Sequence, residues 1–177
     1  DRAELDRFSA QSHQRAAAAT EAGWFADEIV ELEASRVKQK ADVTADEGIR
    51  SDTTAESLSK LRPAFTKEGV VTAGNASQIS DGAAAVVVAS EEKAGELGLD
   101  PLARIVGHCT SGVAPKEIFD APAKGIALLL DKHGLSVDDI DLFELNEAFA
   151  AQSLANIGEL SIPEDRLNIC GGGIALG

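Results

Sequence analysis

The last third of this chain constrains its fold more than any other part. Residues 141–145 read DLFEL, residues 147–160 read EAFAAQSLANIGEL, and residues 167–170 read LNIC. The outer two are short apolar runs, whereas the middle one repeats its apolar positions every three to four residues, as a helix does. Strand, helix and strand in that order form a β-α-β unit. Such a crossover is right-handed and makes its two strands parallel neighbours in one sheet. Their C-terminal ends then share one edge, the edge at which open α/β sheets bind ligands. The segments that emerge there are NEAF (146–149) and GGGIALG (171–177), so a functional site is sought first at these two loops.

The rest of the chain fits an α/β reading. Residues 2–22 are predicted as one amphipathic helix with Leu5, Phe8, Ala16 and Ala19 on its apolar face and Gly23 as its stop. The polar stretch 28–50 is predicted as an exposed hairpin or loop. TTAESLSKL (53–61) has Thr53 and Glu56 in the spacing of a capping box, and Pro63 ends that helix. AAAVVVA (83–89) is a continuous apolar run suited to a strand buried on both faces. A helix over 91–97 stopped by Gly98 follows, then an alternating strand over 101–113, then a helix ending at Gly134. His108 on that strand, and His13 and His133 on helix surfaces, read as structural side chains.

Charge and cysteines narrow the function. Sixteen basic against 30 acidic residues give a net charge of −14, which argues against nucleic acid, since phosphate binding needs clustered Lys and Arg. No apolar run is long enough to span a bilayer, and the opening DRAELDRFSA is charged helix rather than a secretory signal. No membrane role is expected. Cys109 and Cys170 lie far apart, outside any metal-site spacing, and read as reduced, buried thiols of a cytoplasmic protein. The chain opens on Asp1, contains no methionine and closes on a glycine turn. The expectation from these features is a piece of a longer protein.

Two features at the sheet edge have open readings. Asn146 lies where the first strand gives way to its helix, and Asn is a preferred N-cap as well as a site residue. Gly171, Gly173 and Gly177 form G-x-G-x-x-x-G, one residue too long for a dinucleotide fingerprint. Three adjacent glycines still allow close approach of the backbone, to a packed helix or to a reacting atom.

Taken in order, VTAGNAS…DGAAA (71–85), NEAFAAQ (146–152) and GGGIALG (171–177) resemble the thiolase family, the acetyl-CoA C-acyltransferases. SHQRAAAATEAGWFADEIV (12–30) and KLRPAFTKEG (60–69) are similar to thiolase segments as well, so the likeness covers nearly the whole chain. Ketoacyl synthases share that fold but lack NEAF. The resemblance implies a thiolase fold, layered α-β-α-β-α when complete and only partly present here. Residues 1–79 would belong to the CoA-binding loop domain, 80–100 to the end of the N-terminal half, and 101–177 to the start of the C-terminal half.

The resemblance also implies a chemistry. Thiolases cleave 3-ketoacyl-CoA or condense two acetyl-CoA through an acyl-cysteine, with no metal and no cofactor beyond the substrate's own CoA. Asn146 would hold the water of an oxyanion hole. Ser77 and the backbone at Ala73 would meet the pantetheine arm, Phe65 would wall its tunnel, Arg50 and Ser57 would lie near the adenine, and Ala148 and Phe149 would line the acyl end. The nucleophilic cysteine, its activating histidine and the acid/base cysteine are expected outside these residues, and neither Cys109 nor Cys170 matches them. The alternative is a catalytically inactive CoA-binding or scaffold fragment. A homo-oligomer is expected of the complete protein. KEIFDAPAKG (116–125) departs from the family's GPIPA pattern, which leaves acyl-chain preference open.

Overall fold

The computed structural model describes residues 1–177. Helix α1 (Arg2–Glu21) opens with a capping box in which the Asp1 side chain accepts from Glu4 N and the Glu4 carboxylate turns back to Asp1 N. Leu5, Phe8, Ala16 and Ala19 are buried as expected, and Gly23 (φ +76°) stops the helix. Four polar residues are buried on the same helix: Asp6, Ser9, Ser12 and His13. His13 is thus not on the surface. The segment carrying Arg50 covers it, and its imidazole Nδ1 accepts a hydrogen bond of 3.2 Å from Arg50 N.

Residues 28–50 form the exposed excursion that their polarity predicts, pinned by an antiparallel bridge between Leu32 and Val43 around the single turn α2 (Ala34–Val37). Helix α3 (Ala55–Ser59) starts one residue later than its capping signal suggests. Thr54 and Ser57 form the box, because Glu56 is engaged by Lys60 at 3.1 Å and Thr53 is buried. Arg2 fastens α1 to the end of α3 by donating to the carbonyls of Leu58 (2.7 Å) and Leu61 (3.1 Å). After α4 (Glu91–Glu96), a 3₁₀ segment (Pro115–Asp120) runs into α5 (Ala121–His133), which Gly134 ends at φ +64°. Asn156 on α6 (Ala150–Leu160) accepts from Ala123 N at 2.8 Å, satisfying a free N–H in the first turn of α5.

Two predicted strands do not form. Residues 79–89 and 101–113 make no backbone–backbone hydrogen bonds, and Val86, Val87, Val88, Leu102, Ile105 and Val106 are all exposed. A strand buried on both faces needs a partner on each side and a covering layer. No segment pairs with 79–89 through its backbone, although Gly177 lies against Ser80. Residues 108–111 have only α5, to which the Lys132 and Ser111 side chains tie them.

The β-α-β unit is present but short. Phe143 and Leu167 form a parallel bridge, with Phe143 N donating to Arg166 O at 2.8 Å and Asn168 N to Phe143 O at 2.9 Å. At Asn168 the backbone turns left-handed (φ +44°) and leaves the sheet. Its side-chain amide replaces the missing ladder, accepting from Leu145 N at 2.8 Å and donating to Leu145 O at 2.8 Å. The core sits beneath, where Leu5 and Phe8 of α1 meet Phe143, Leu145, Ile157, Ile162, Leu167 and Ile174. Helix α6 begins at Ala150 rather than at residue 147, with Phe149 at the N-cap position. Residues 148–149 are held extended by pairing with residues 76–77, so Asn146 is not a helix cap. No helix is long and apolar enough to cross a membrane.

Two stability outcomes follow from this geometry. Asn168→Ala should destabilise the fold by about 2–4 kcal/mol in urea titration, because it leaves both buried polar groups of Leu145 without partners. Asn168→Gly tests the cause: if the left-handed backbone mattered and the amide did not, glycine would be silent. For His13, burial and then the Arg50 charge lower the pKa, partly opposed by Asp52. The unfolded chain therefore binds this proton at higher pH than the folded one. Stability present above about pH 6.5 should fall as pH drops through that value. Unfolding midpoints measured from pH 7.5 down to 5 should show that loss, and His13→Gln should reduce it.

A candidate active site where two loops meet

The two loops of the sheet edge meet, and a third joins them. A Cβ placed on Gly173 would lie 3.2 Å from Asn146 Oδ1 and 3.7 Å from Ser77 Cβ. Three segments far apart in sequence thus converge on one point. The backbone holds them there: Ser77 N donates to Ala148 O at 3.0 Å, Ala150 N to Asn75 O at 3.0 Å, and Gln78 N to Gly173 O at 3.3 Å. Asn146 and Ser77 are both exposed, and neither side chain forms a hydrogen bond within the chain, so both stay available to a ligand.

Each glycine of the turn answers to a different neighbour. Gly171 (φ +81°) packs on α1, where a Cβ would meet Ser12 O at 2.6 Å. At Gly172 a Cβ would strike the Glu147 carboxylate, and Gly173 faces Asn146. The run therefore serves both a packed helix and the site.

Glu147 lies under this junction and is buried. Its carboxylate accepts from Ser12 Oγ (2.7 Å), Asn168 Nδ2 (2.9 Å) and Ile174 N (3.2 Å). Ser12 Oγ in turn accepts from Gly172 N at 3.1 Å. A second buried centre, Asn75, accepts from Thr72 N and donates to Asp6 and to Val70 O. Gln78 Nε2 donates to the carbonyls of Gly48, Ile174 and Ala175. Glu147 carries a weak local signal, an acidic residue at the head of the apolar run AFAA. Ser12, Asn75, Gln78 and Asn168 carry none, since their partners are distant in sequence.

Phe149 reaches two aromatic neighbours. Phe119 meets it edge-to-face at 5.3 Å and Phe65 at 6.4 Å. Phe119, in the segment that departs from the family pattern, was not among the residues marked by sequence. Phe65 and Ala73 line an open cleft of about 720 Å³ together with Leu61, Pro63, Arg62 and Lys67, a volume in the usual range for small-molecule sites. Arg50 and Ser57 do not line that cleft: Arg50 N bonds to His13, and the Ser57 side chain completes the cap of α3. Near the site, burial and then Glu147 raise the Glu144 pKa, while burial, then Glu144 and Glu28, push the Cys170 thiol up. Cys109 Sγ donates to Gly125 O at 3.2 Å.

Known proteins resemble this chain in sequence and fold. Residues 1–92 match the thiolase N-terminal domain and residues 99–177 the thiolase C-terminal domain. A probable acetyl-CoA acetyltransferase of Mycolicibacterium smegmatis is 49% identical over 99% of this chain and 46% of its own length. The dimeric peroxisomal thiolase of Saccharomyces cerevisiae superposes with a TM-score of 0.94 at 45% identity, over all of this chain and 44% of that one. Human mitochondrial 3-ketoacyl-CoA thiolase in complex with CoA gives 0.93 at 46% identity, again over 44% of its length. The chain thus spans a little under half of these relatives and carries a partial copy of their fold. It belongs to the thiolase family.

Proposed function

We propose that the protein to which these residues belong is an acyltransferase acting on CoA thioesters. It cleaves 3-ketoacyl-CoA by thiolysis, or condenses two acetyl-CoA, through an acyl-cysteine intermediate. The observation that carries this reading is the convergence of Asn146, Ser77 and Gly173, with the Asn146 amide exposed and free of hydrogen bonds.

The chemistry explains why such a residue is needed. When a thiolate attacks the 3-keto carbon, the bond between C2 and C3 breaks and its electron pair leaves on acetyl-CoA as an enolate. Negative charge on that oxygen must be met by donors already in place, because reorganising water at that moment would cost the rate. Asn146 holds the water that serves as one such donor. The acyl-accepting thiolate lies in the rest of the protein. Cys170 is unsuited to that role because burial, then Glu144 and Glu28, push its thiol pKa up, against thiolate formation, and Cys109 is spent on a carbonyl of α5.

CoA enters along the cleft bearing Phe65 and Ala73. In a chain of net charge −14, a polyanionic ligand needs local cations, and Arg62 and Lys67 on the cleft wall supply them. Ser77 meets the pantetheine arm, and Ala148 and Phe149 border the acyl end. Arg50 and Ser57 belong to the adenine end, beyond the cleft. No cofactor other than the CoA of the substrate is called for. We assign the complete protein to fatty acid metabolism, as a cytoplasmic homo-oligomer. The unpaired Cys109 and Cys170 support a reducing compartment, and the dimeric yeast relative supports the homo-oligomer.

In the whole protein, Asn146→Ala should lower kcat by about 10²–10³-fold through loss of the oxyanion water. Ser77→Ala should act on KM for the CoA substrate. Normal turnover in Asn146→Ala would remove Asn146 from the reaction. Radiolabelled acetyl-CoA should leave no acyl label on Cys109 or Cys170, as peptide mapping of the quenched protein would report.

A further inference from the structure

The hydroxyl of Ser12 touches both loops of the site at once, although it sits on α1 and 134 positions before Asn146 in the chain. It donates to Glu147 Oε2 at 2.7 Å and accepts from Gly172 N at 3.1 Å. Glu147 directly follows Asn146, and Gly172 directly precedes Gly173, the residue against which Asn146 Oδ1 lies. One buried oxygen therefore sets the spacing between the loop that carries Asn146 and the loop that faces it. Ser12 is 3% exposed and Glu147 1%, so water has no access to replace either bond. A carbonyl or an ammonium at this position would satisfy only one of the two, whereas a hydroxyl both donates and accepts.

We propose that Ser12 is a positioning residue for the acyl-transfer reaction, acting through Glu147 and the glycine turn to hold Asn146 in register with the reacting oxygen. The proposal rests on the role given to Asn146 above. Without the Ser12 hydroxyl, Glu147 Oε2 keeps only Ile174 N, and Gly172 N faces an apolar methyl. The turn is then free to shift away from Asn146. Displacements of this kind impair the chemical step more than binding, because the cleft given to the CoA is lined by residues 61–67 and Ala73, which make no hydrogen bond to Ser12, Glu147 or the turn.

The neighbouring Ser9 offers a matched control. It is equally buried on the same helix, but its hydroxyl donates only to Leu5 O of its own helix, at 2.8 Å. In the intact full-length protein, Ser12→Ala and Ser12→Cys should lower kcat for thiolysis of a 3-ketoacyl-CoA by about tenfold or more, with KM for CoA changed by less than about twofold. Ser9→Ala should keep wild-type kcat even where its melting temperature falls as far as that of Ser12→Ala. Asn146→Ala is assayed beside them. If Asn146→Ala loses turnover while both Ser12 variants keep wild-type kcat, or if Ser9→Ala matches their loss, the proposal is overturned and the site reading stands. Wild-type turnover in Asn146→Ala would overturn both.

Discussion

The structure around the site depends on one buried carboxylate. Glu147 gathers a side chain of α1, a side-chain amide from the end of the second strand and a backbone N–H of the glycine turn, through Ser12, Asn168 and Ile174. A buried carboxylate without donors is costly to keep, and a buried polar group left without its partner typically destabilises a fold by about 1–3 kcal/mol. The three donors therefore have to stay together, and the segments that carry them stay together too. Directly above this point the chain exposes Asn146. A rigid base and an unengaged side chain one residue away are what preorganised catalysis requires, since the donor must be in position before charge develops.

Local patterns made the helices legible. The apolar faces and glycine stops of α1 and α5 lie where their spacing predicts. The parallel pairing of Phe143 with Leu167 was legible too, because a single helical crossover leaves few alternatives. What the sequence concealed was non-local. AAAVVVA has the composition of a doubly buried strand, but composition states a need for neighbours and does not supply them, and in this chain those valines are exposed. Asn146 had two local readings, and the one based on helix capping failed for a distant reason. Residues 76–77 pair with 148–149, keep them extended and move the start of α6 to Ala150. His13 was misplaced by the same kind of blindness, because the segment that covers its face of α1, the one carrying Arg50, is distant in sequence.

The missing sheet also explains how the site is built. With little regular strand in the chain, side-chain amides complete the backbone pairing that ladders would otherwise supply. Asn168 pairs with both polar groups of Leu145, Asn75 with Thr72 N and Val70 O, and Gln78 with the carbonyls of Gly48, Ile174 and Ala175. An amide carries a donor and an acceptor in one plane, like a peptide group, and so fits a ladder position that the backbone has left.

Amides have a further property that suits this location. They do not titrate, so the backbone pairing that Asn75, Gln78 and Asn168 supply is indifferent to protons. An acyl transfer through a thiolate and an enolate moves protons at every step, and a scaffold that changed charge with them would shift as the reaction proceeded. Here the titratable groups with displaced pKa values, Glu144 and Cys170, stand beside the junction and make none of its hydrogen bonds. The amide pairing is thereby independent of the protons that the reaction moves, whereas the loop spacing that Ser12 sets rests on the Glu147 carboxylate as well.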